Sequence, residues 1–514
     1  MITVLPCQIS LIDTYAEKTL GIPTRELMRR AGLGVAKEIE KRCKKGRVLL
    51  FCGGGNNGGD GYAAALFLGA SGFSPLAVDV FGKGQKSEAG KFFLEEYTRI
   101  YGKPLSLSDA LLEEGATVLV DAVFGTGFGG ELPREASLLE AYYKKSTAYK
   151  VAVDMPLGVD GEKGVCRDVC LFADLTVALC FVKQGMLSYP AKDACGEIAL
   201  CDLGLDQRSI QTVFSLPETV DEENIAALLP KRKTNTHKGS FGKVLGFVGS
   251  RQYKGAALLS AEGALRMGAG LFVLASAQEV IDVALLRLPE CLTLPLPDTE
   301  ELTEADFAKL FKEAARASAI LVGCGSGKSH NLQTILYNLL QQEGAPLVID
   351  ADGLNVLAED RKKTRNAFIH AKREVVITPH PLEFARLIGK TAEEVQANRL
   401  PYAQDASREW GVTVVLKGAA TVVATKGALS VSTSGSNALA KGGSGDVLAG
   451  MLAALLAQGA SLYDAARAAV FLHGRAAESL EKELSSYGVL PSDLPTRAAR
   501  LLADFVSQRK KTVE

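Results

Sequence analysis

The sequence predicts two consecutive α/β domains, each built on a parallel sheet with helices packed on its faces. Three observations predict this. Short apolar runs alternate with amphipathic stretches along the whole chain, the rhythm of strand–helix–strand units. The 514 residues suffice for two to four domains, at roughly 100–200 residues each. A polar stretch, residues 206–224, interrupts the series once, with Pro217 and an acidic run from Glu218 to Glu223.

The runs of the first domain are 48–52, 76–81, 117–124, 149–154, 175–180 and 197–203. Those of the second are 243–248, 270–275, 319–323, 347–350, 374–378 and 412–416, then a hairpin-spaced pair, 421–424 and 429–432. The expected domains are 1–212 and 218–514, joined within 206–224. Lys plus Arg total 58 against 59 Asp plus Glu, a net charge of −1, which disfavours a nucleic-acid binder working by phosphate neutralisation. The N-terminus lacks a signal-peptide pattern. The longest apolar run, 447–460, is 14 residues, short of the ~18–20 of a membrane span. Ten cysteines show no CxxC, and Cys52, Cys180, Cys201 and Cys324 sit inside apolar strands. That is the usage of reduced thiols, so a cytoplasmic location is expected.

Ligands of open α/β sheets bind beyond the carboxyl ends of the strands, so the residues after each run carry the functional reading. Run 48–52 leads into GGGNNGGDG, Gly53–Gly61, with a helix expected from near Tyr62. Gly53, Gly55 and Gly58 fit GxGxxG, but Asp60 stands where a pyrophosphate would dock and repels it. The segment reads better as a polar cradle, with Asn56 and Asn57 offering amides and Asp60 capping the helix. The plain alternative is a tight turn without a ligand. Asp121 lies in a strand that runs into Gly125-Thr126-Gly127-Phe128-Gly129-Gly130, and Asp154 ends the next. One strand-end Asp is ordinarily a cap. Asp60, Asp121 and Asp154 at three ends are expected to converge on a site.

In the second domain, Gly325-Ser326-Gly327-Lys328-Ser329 imitates a P-loop, but position 322, where the first glycine belongs, is Val322. The stronger signal is Lys441-Gly442-Gly443-Ser444-Gly445-Asp446-Val447 at the start of a helix. Its free N–H groups make an anion hole. Asp446 beside that anion suits a general base that takes a proton from an attacking hydroxyl. The plain alternative is an Asp facing the helix dipole. Asp350 and Asp352 suit Mg²⁺–phosphate work through water, or one caps a helix. His380 between Pro379 and Pro381 is expected to touch substrate. His330, His370 and His473 match no motif.

GNNGGDG, the stretches 121–130 and 154–161, and the opening Gly21-Ile22-Pro23, Leu27-Met28 and Ala31-Gly32 resemble the epimerase domain of the bifunctional NAD(P)H-hydrate repair enzymes, over residues 5–205. The resemblance implies a Rossmann-like three-layer sandwich, epimerisation at C6 of hydrated NADH or NADPH, and bound K⁺. It places Asn56, Asn57, Gly58, Gly59, Asp60, Gly125, Thr126, Gly127, Phe128, Gly129, Gly130, Glu131 and Asp154 on substrate, and Asn57, Asp121 and Leu157 on K⁺. Leu157 stands where the family has Ser, which leaves only its backbone carbonyl for the ion. Arg29-Arg30 replaces an acidic residue.

GGSGD resembles the anion-hole motif of ribokinase-like folds. With His237–Gly242, Gly249-Ser250, Gly255–Ala257, Gly268–Leu271, Asp350–Asn355, Thr378–Glu383 and Lys417–Thr421, residues 225–505 resemble the ADP- or ATP-dependent NAD(P)H-hydrate dehydratases. That implies a ribokinase-like α/β domain with Asp446 catalytic. Ala256, Gly325, His380 and Asp446 would meet the hydrated dinucleotide. Lys417, Gly418, Ala419, Ala420, Thr421 and Gly445 would meet ADP or ATP with Mg²⁺. The alternative is a ribokinase-like vitamin or sugar kinase carrying a non-catalytic N-terminal binding domain. Small-molecule substrates and a homo-oligomer are expected, with neither nucleic acid nor membrane as partner.

Overall fold

Val48–Cys52 is apolar and fully buried, which a parallel strand covered by helices on both faces requires. In the computed structural model, which describes residues 1–298 and 301–513, it is an interior strand of a seven-stranded parallel sheet. The strands are β1 (Arg47–Cys52), β2 (Ser74–Asp79), β3 (Leu105–Ser106), β4 (Val118–Ala122), β5 (Tyr149–Val153), β6 (Leu175–Leu179) and β7 (Glu197–Cys201). Their order is β7-β6-β5-β4-β1-β2-β3. The strand sequence reverses between β1 and β4, the crevice where such sheets bind ligands.

Helices α1 (Pro6–Lys18), α2 (Thr24–Arg42) and α3 (Asn56–Ala70) build the rest of that crevice. α3 starts at Asn56 with Gly55 as its N-cap, six residues before the expected Tyr62. The glycines read as loop lie inside the helix because it presses against its neighbours. A Cβ on Gly59 would lie 2.6 Å from the Met28 sulfur, and one on Gly61 2.7 Å from the Ala122 Cβ. One on Gly58 would collide with the Gly53 carbonyl.

The chain divides into two compact units, Met1–Glu218 and Thr219–Glu514. In the second unit the strands are β8 (Lys243–Phe247), β9 (Leu271–Ser276), β10 (Leu292–Pro295), β11 (Ala319–Val322), β12 (Leu347–Ile349), β13 (Val375–Ile377), β14 (Thr413–Leu416), β15 (Val422–Thr425) and β16 (Ala428–Val431). They pair as β10-β9-β8-β11-β12-β13-β14-β15-β16, parallel through β14, with the last two antiparallel. Here the order reverses between β8 and β11. Helices α4 (Lys254–Arg266), α5 (Pro381–Ile388), α6 (Ser444–Ala457) and α7 (Leu462–Gly488) matter for the site. α6 is apolar on nearly all sides and buried in the core. A Cβ on Gly263 of α4 would lie 2.6 Å from the Val447 carbonyl of α6, so the two helices pack backbone to backbone.

The stretch 206–224 is not a free linker. Asp206 caps a helix, Gln207–Phe214. Ile210 and Leu216 are buried with the first unit, and the Thr3 N–H donates to the Pro217 carbonyl at 2.9 Å. Ile225 is buried in the second unit's core. A polar, Pro-containing sequence reads as a spacer, yet its few apolar residues suffice to tie each side down. A fragment ending at 218 is therefore expected to melt like the intact first unit. One ending at 212 loses Leu216, worth about 1.5–3 kcal/mol on burial, and should melt lower. Thermal denaturation followed by circular dichroism checks this.

Candidate active sites

At the β1/β4 switch a cavity of about 790 Å³ opens between the strand-end loops, α3 and α1. Asp60 and Asp154 line it, together with Asn56, Asn57, Gly125–Phe128, Lys83 and Lys86. Asp60 does not cap α3. It lies one turn inside the helix, buried, and its carboxyl is held well above the usual range by burial first, then by Asp154 and Asp13. Asp154 adopts φ 67°, a left-handed conformation that non-glycine residues rarely take. Its carboxylate pairs with the fully buried Lys183 and accepts the Thr126 N–H at 3.2 Å.

Asp121 does not join these carboxylates in the cavity. It is buried beneath the 154–158 loop, where its carboxylate accepts the N–H groups of Leu157 (2.6 Å) and Val123 (3.1 Å). Burial pushes it up to about 7, against the pull of those two bonds. The third carboxylate in the cavity is Asp13 of α1. A second cavity of about 360 Å³ adjoins, lined by Phe124–Gly129, Met155–Glu162 and Arg167. Phe128 stacks on Phe124 with centroids 3.9 Å apart.

In the second unit the strand ends bring Cys324, Asp350 and Asp446 together, with one ligand atom of each within 4.8 Å of the others. Lys417 Nζ pairs with Asp350 Oδ1 at 2.7 Å, and the Cys324 thiol donates to Asp350 Oδ2 at 3.7 Å. Burial, then the Asp350 charge, pushes Asp446 up to about 7, while Lys417 pulls it back. Burial alone would lower the Lys417 ammonium, but Asp350 and Glu383 outweigh it and hold it raised. Gly445 stands between: a Cβ there would lie 3.2 Å from Lys417 Nζ.

Residues 244–500 match the family model for NAD(P)H-hydrate dehydratase, and residues 24–185 that for the YjeF-related protein N-terminus. The bifunctional NAD(P)H-hydrate repair enzyme Nnr of Moorella thermoacetica is 32% identical over 511 residues, spanning 96% of this chain and 95% of that one. The chain belongs to the bifunctional NAD(P)H-hydrate repair enzymes. Its relative of that name from Escherichia coli K12 is 32% identical over 500 residues, 97% of this chain and 93% of that one. A ribokinase-like superfamily protein from Enterococcus faecalis V583 is similar in structure at TM-score 0.50 and 27% identity, covering 56% of this chain and 96% of its own. The second unit is accordingly a ribokinase-like α/β domain.

In this repair-enzyme chain, several expected residues stand elsewhere than the motifs suggest. Gly58 and Gly59 serve helix packing. Gly130 and Glu131 are exposed and line neither cavity described. Both side-chain amide atoms of Asn57 are buried without a partner among the described residues, which suits a bound ligand. The Leu157 side chain is buried in an apolar cluster, and its carbonyl accepts the Leu171 N–H at 2.9 Å. Arg29 and Arg30 both pair with Glu26, and Arg30 reaches the Leu203 carbonyl at 2.9 Å.

His380 is the N-cap of α5: its Nδ1 accepts the N–H groups of Leu382 (3.2 Å) and Glu383 (3.3 Å). The ring proton therefore sits on Nε2, 3.2 Å from Glu383 Oε1, and the exposed ring edge is what remains for a substrate. Asp352 accepts the Gly327 N–H at 2.9 Å. Gly325, at φ 59°, packs on Ala256, where a Cβ would come within 2.7 Å of the Ala256 Cβ. Beneath Lys417–Thr421, the buried Arg399 donates to the carbonyls of Leu416 (3.2 Å), just before the loop, and Ala420 (3.4 Å), within it, and so shapes it.

Sequence reasoning missed Lys183, Asp13 and Cys324. A single lysine amid the apolar run 175–187 was the available signal for the first. No motif marked the other two.

Proposed function

We propose that the chain repairs hydrated NADH and NADPH, the first unit interconverting the R and S hydrates at C6 and the second dehydrating the S hydrate at the expense of ADP or ATP. The observation that carries this reading is that one chain holds both family-matched units over nearly the full length of its bifunctional relatives.

In the second unit Asp446 accepts the proton of the C6 hydroxyl as that oxygen attacks the terminal phosphorus. The first-turn N–H groups of α6 face the transferring phosphoryl. Lys417 places an ammonium beside Gly445 and balances the charge. Phosphate then departs as the ring nitrogen lone pair restores the dihydronicotinamide. Mg²⁺, which would screen the nucleotide phosphates, fits near Asp350 and Asp352 through water better than by direct ligation, since both carboxylates already accept hydrogen bonds from the chain.

In the first unit Asp60, Asp154 and the Asn56–Asn57 amides meet the hydrated ring and its carboxamide. K⁺ fits the orphaned Asn57 amide oxygen and the buried Asp121 charge, and would neutralise that carboxylate. Leu157 brings no side-chain oxygen. Phe124–Phe128 and the Lys83 and Lys86 rim suit the rest of the dinucleotide.

Purified hydrates, incubated in turn with ADP and ATP, test this by the return of dihydronicotinamide absorbance. Restoration from S but never faster than uncatalysed from R would leave only the dehydratase. A stable phosphorylated product would favour a kinase.

Asp446 also sets a pH dependence. With a folded value near 7, it is protonated and unable to act as base below that pH. kcat/KM for the S hydrate should fall about tenfold per pH unit on the acid side and level off above 7. Steady-state rates between pH 5 and 9 check the sign.

A further inference from the structure

Helix α1 turns Pro6, Ser10 and Asp13 toward the first cavity, a single face at helical spacing. That wall belongs to no strand of the sheet. It is a different element from α3, which carries Asp60, and from the loop after β5, which carries Asp154. Among the lining residues, Asp13 is the only carboxylate on it. Its side chain has no hydrogen-bond or ion-pair partner among the described residues, although Asp60, Asp154 and Lys183 lie near enough to act on its charge. The fold needs no acid there, since α1 is held by Ile12 and Ala16 on its buried side.

Epimerisation moves the C6 oxygen from one face of the ring to the other. Opening the ring needs one group to take the C6 hydroxyl proton and a second to give a proton to N1, and two different walls of the cavity can supply them. We propose that Asp13 is a catalytic acid–base of the first unit, exchanging a proton with the C6 oxygen of the hydrated nicotinamide ring. This rests on the epimerase reading above.

The Asp13 carboxylate takes the C6 hydroxyl proton, C6 becomes an aldehyde carbon, and the C6–N1 bond breaks. The bonding pair goes to N1, which takes a proton from the Asp60 carboxyl. Rotation about C5–C6 turns the other face of the aldehyde to N1. N1 then attacks C6 and returns its proton to Asp60, and the new C6 oxygen takes its proton back from Asp13. Nothing is oxidised, reduced or consumed. Partial desolvation at the cavity wall, where the residue keeps part of its exposure, and the Asp154 charge push Asp13 up to about 6 while Lys183 pulls it down, so it can hold or release a proton near neutrality.

The test uses the full chain with purified R and S hydrates and subtracts uncatalysed interconversion. Asp13→Asn should lower kcat for R-to-S conversion by about 10²–10⁴-fold. S-hydrate dehydration, a property of the other unit, should stay unchanged. Asp13→Glu keeps the acid on a longer arm and should recover at least about tenfold over Asn. Thr14→Ala, on the same helix but outside the cavity lining, should match wild type. Asp13→Asn activity within about tenfold of wild type overturns the proposal. So does a loss that Glu does not relieve and that comes with a lower melting point of the first unit. A wild-type chain that never interconverts the hydrates overturns the epimerase reading itself, and the proposal with it.

Discussion

Asp446→Asn is expected to slow S-hydrate dehydration by about 10²–10⁴-fold while leaving the second unit folded. Asn keeps the size of the side chain in the first turn of α6 but cannot take a proton from the C6 hydroxyl. The substitution also removes a carboxylate that burial and the neighbouring Asp350 charge make costly to ionise. Nucleotide affinity should therefore hold or rise, because the α6 N–H groups and Lys417 remain and a like charge has gone. The acid limb near pH 7 should vanish from whatever rate survives. R-to-S conversion should be untouched, since its residues lie in the other sheet's crevice. Rates, pH profiles and nucleotide titrations on one preparation check all of these. A variant within about tenfold of wild type would take Asp446 out of the chemistry and leave it an acidic residue facing the helix dipole.

Lys183→Met should cost the first unit about 3–5 kcal/mol and abolish epimerisation. Lys183 is fully buried and its ammonium meets Asp154, itself buried and held in a left-handed backbone conformation. Without the lysine, the buried Asp154 carboxylate must stay charged without its cationic partner or take up a proton, and either changes the charge of the cavity wall. Lys183→Met combined with Asp154→Asn removes both charges and should regain part of the stability but none of the activity. Thermal unfolding and hydrate interconversion separate the two effects. S-hydrate dehydration should persist throughout. If the single variant melts like wild type, the pair is not what holds the loop after β5.

Much of the architecture was legible because each strand needs only a local signature. Apolar runs such as Val48–Cys52 and Val118–Ala122, separated by helical stretches, leave few sheet arrangements open. Asp154 and Asp350 were legible for the same reason, since each follows its strand directly in the chain, whereas Asp60 and Asp446 were marked by the glycines at the starts of α3 and α6. The start of α3 was not legible. Glycines signal a loop unless something presses on them, and the pressure comes from Met28 and Ala122, far away in sequence.

Composition, strand rhythm and the glycine–carboxylate motifs by themselves determined two α/β units, the strand-end location of both cavities' loops, and a carboxylate, Asp446, at a helix start. Only the tertiary structure decided which charges meet. It set Asp121 under a loop and brought Asp13 into the cavity instead. It paired Lys183 with Asp154 and Lys417 with Asp350, and it made His380 a cap. The physical reason is that a residue's ionisation and partners depend on burial and on charges within a few ångströms, contributed by elements tens to hundreds of residues apart. Local spacing places a side chain at a strand end, but only packing determines what it faces.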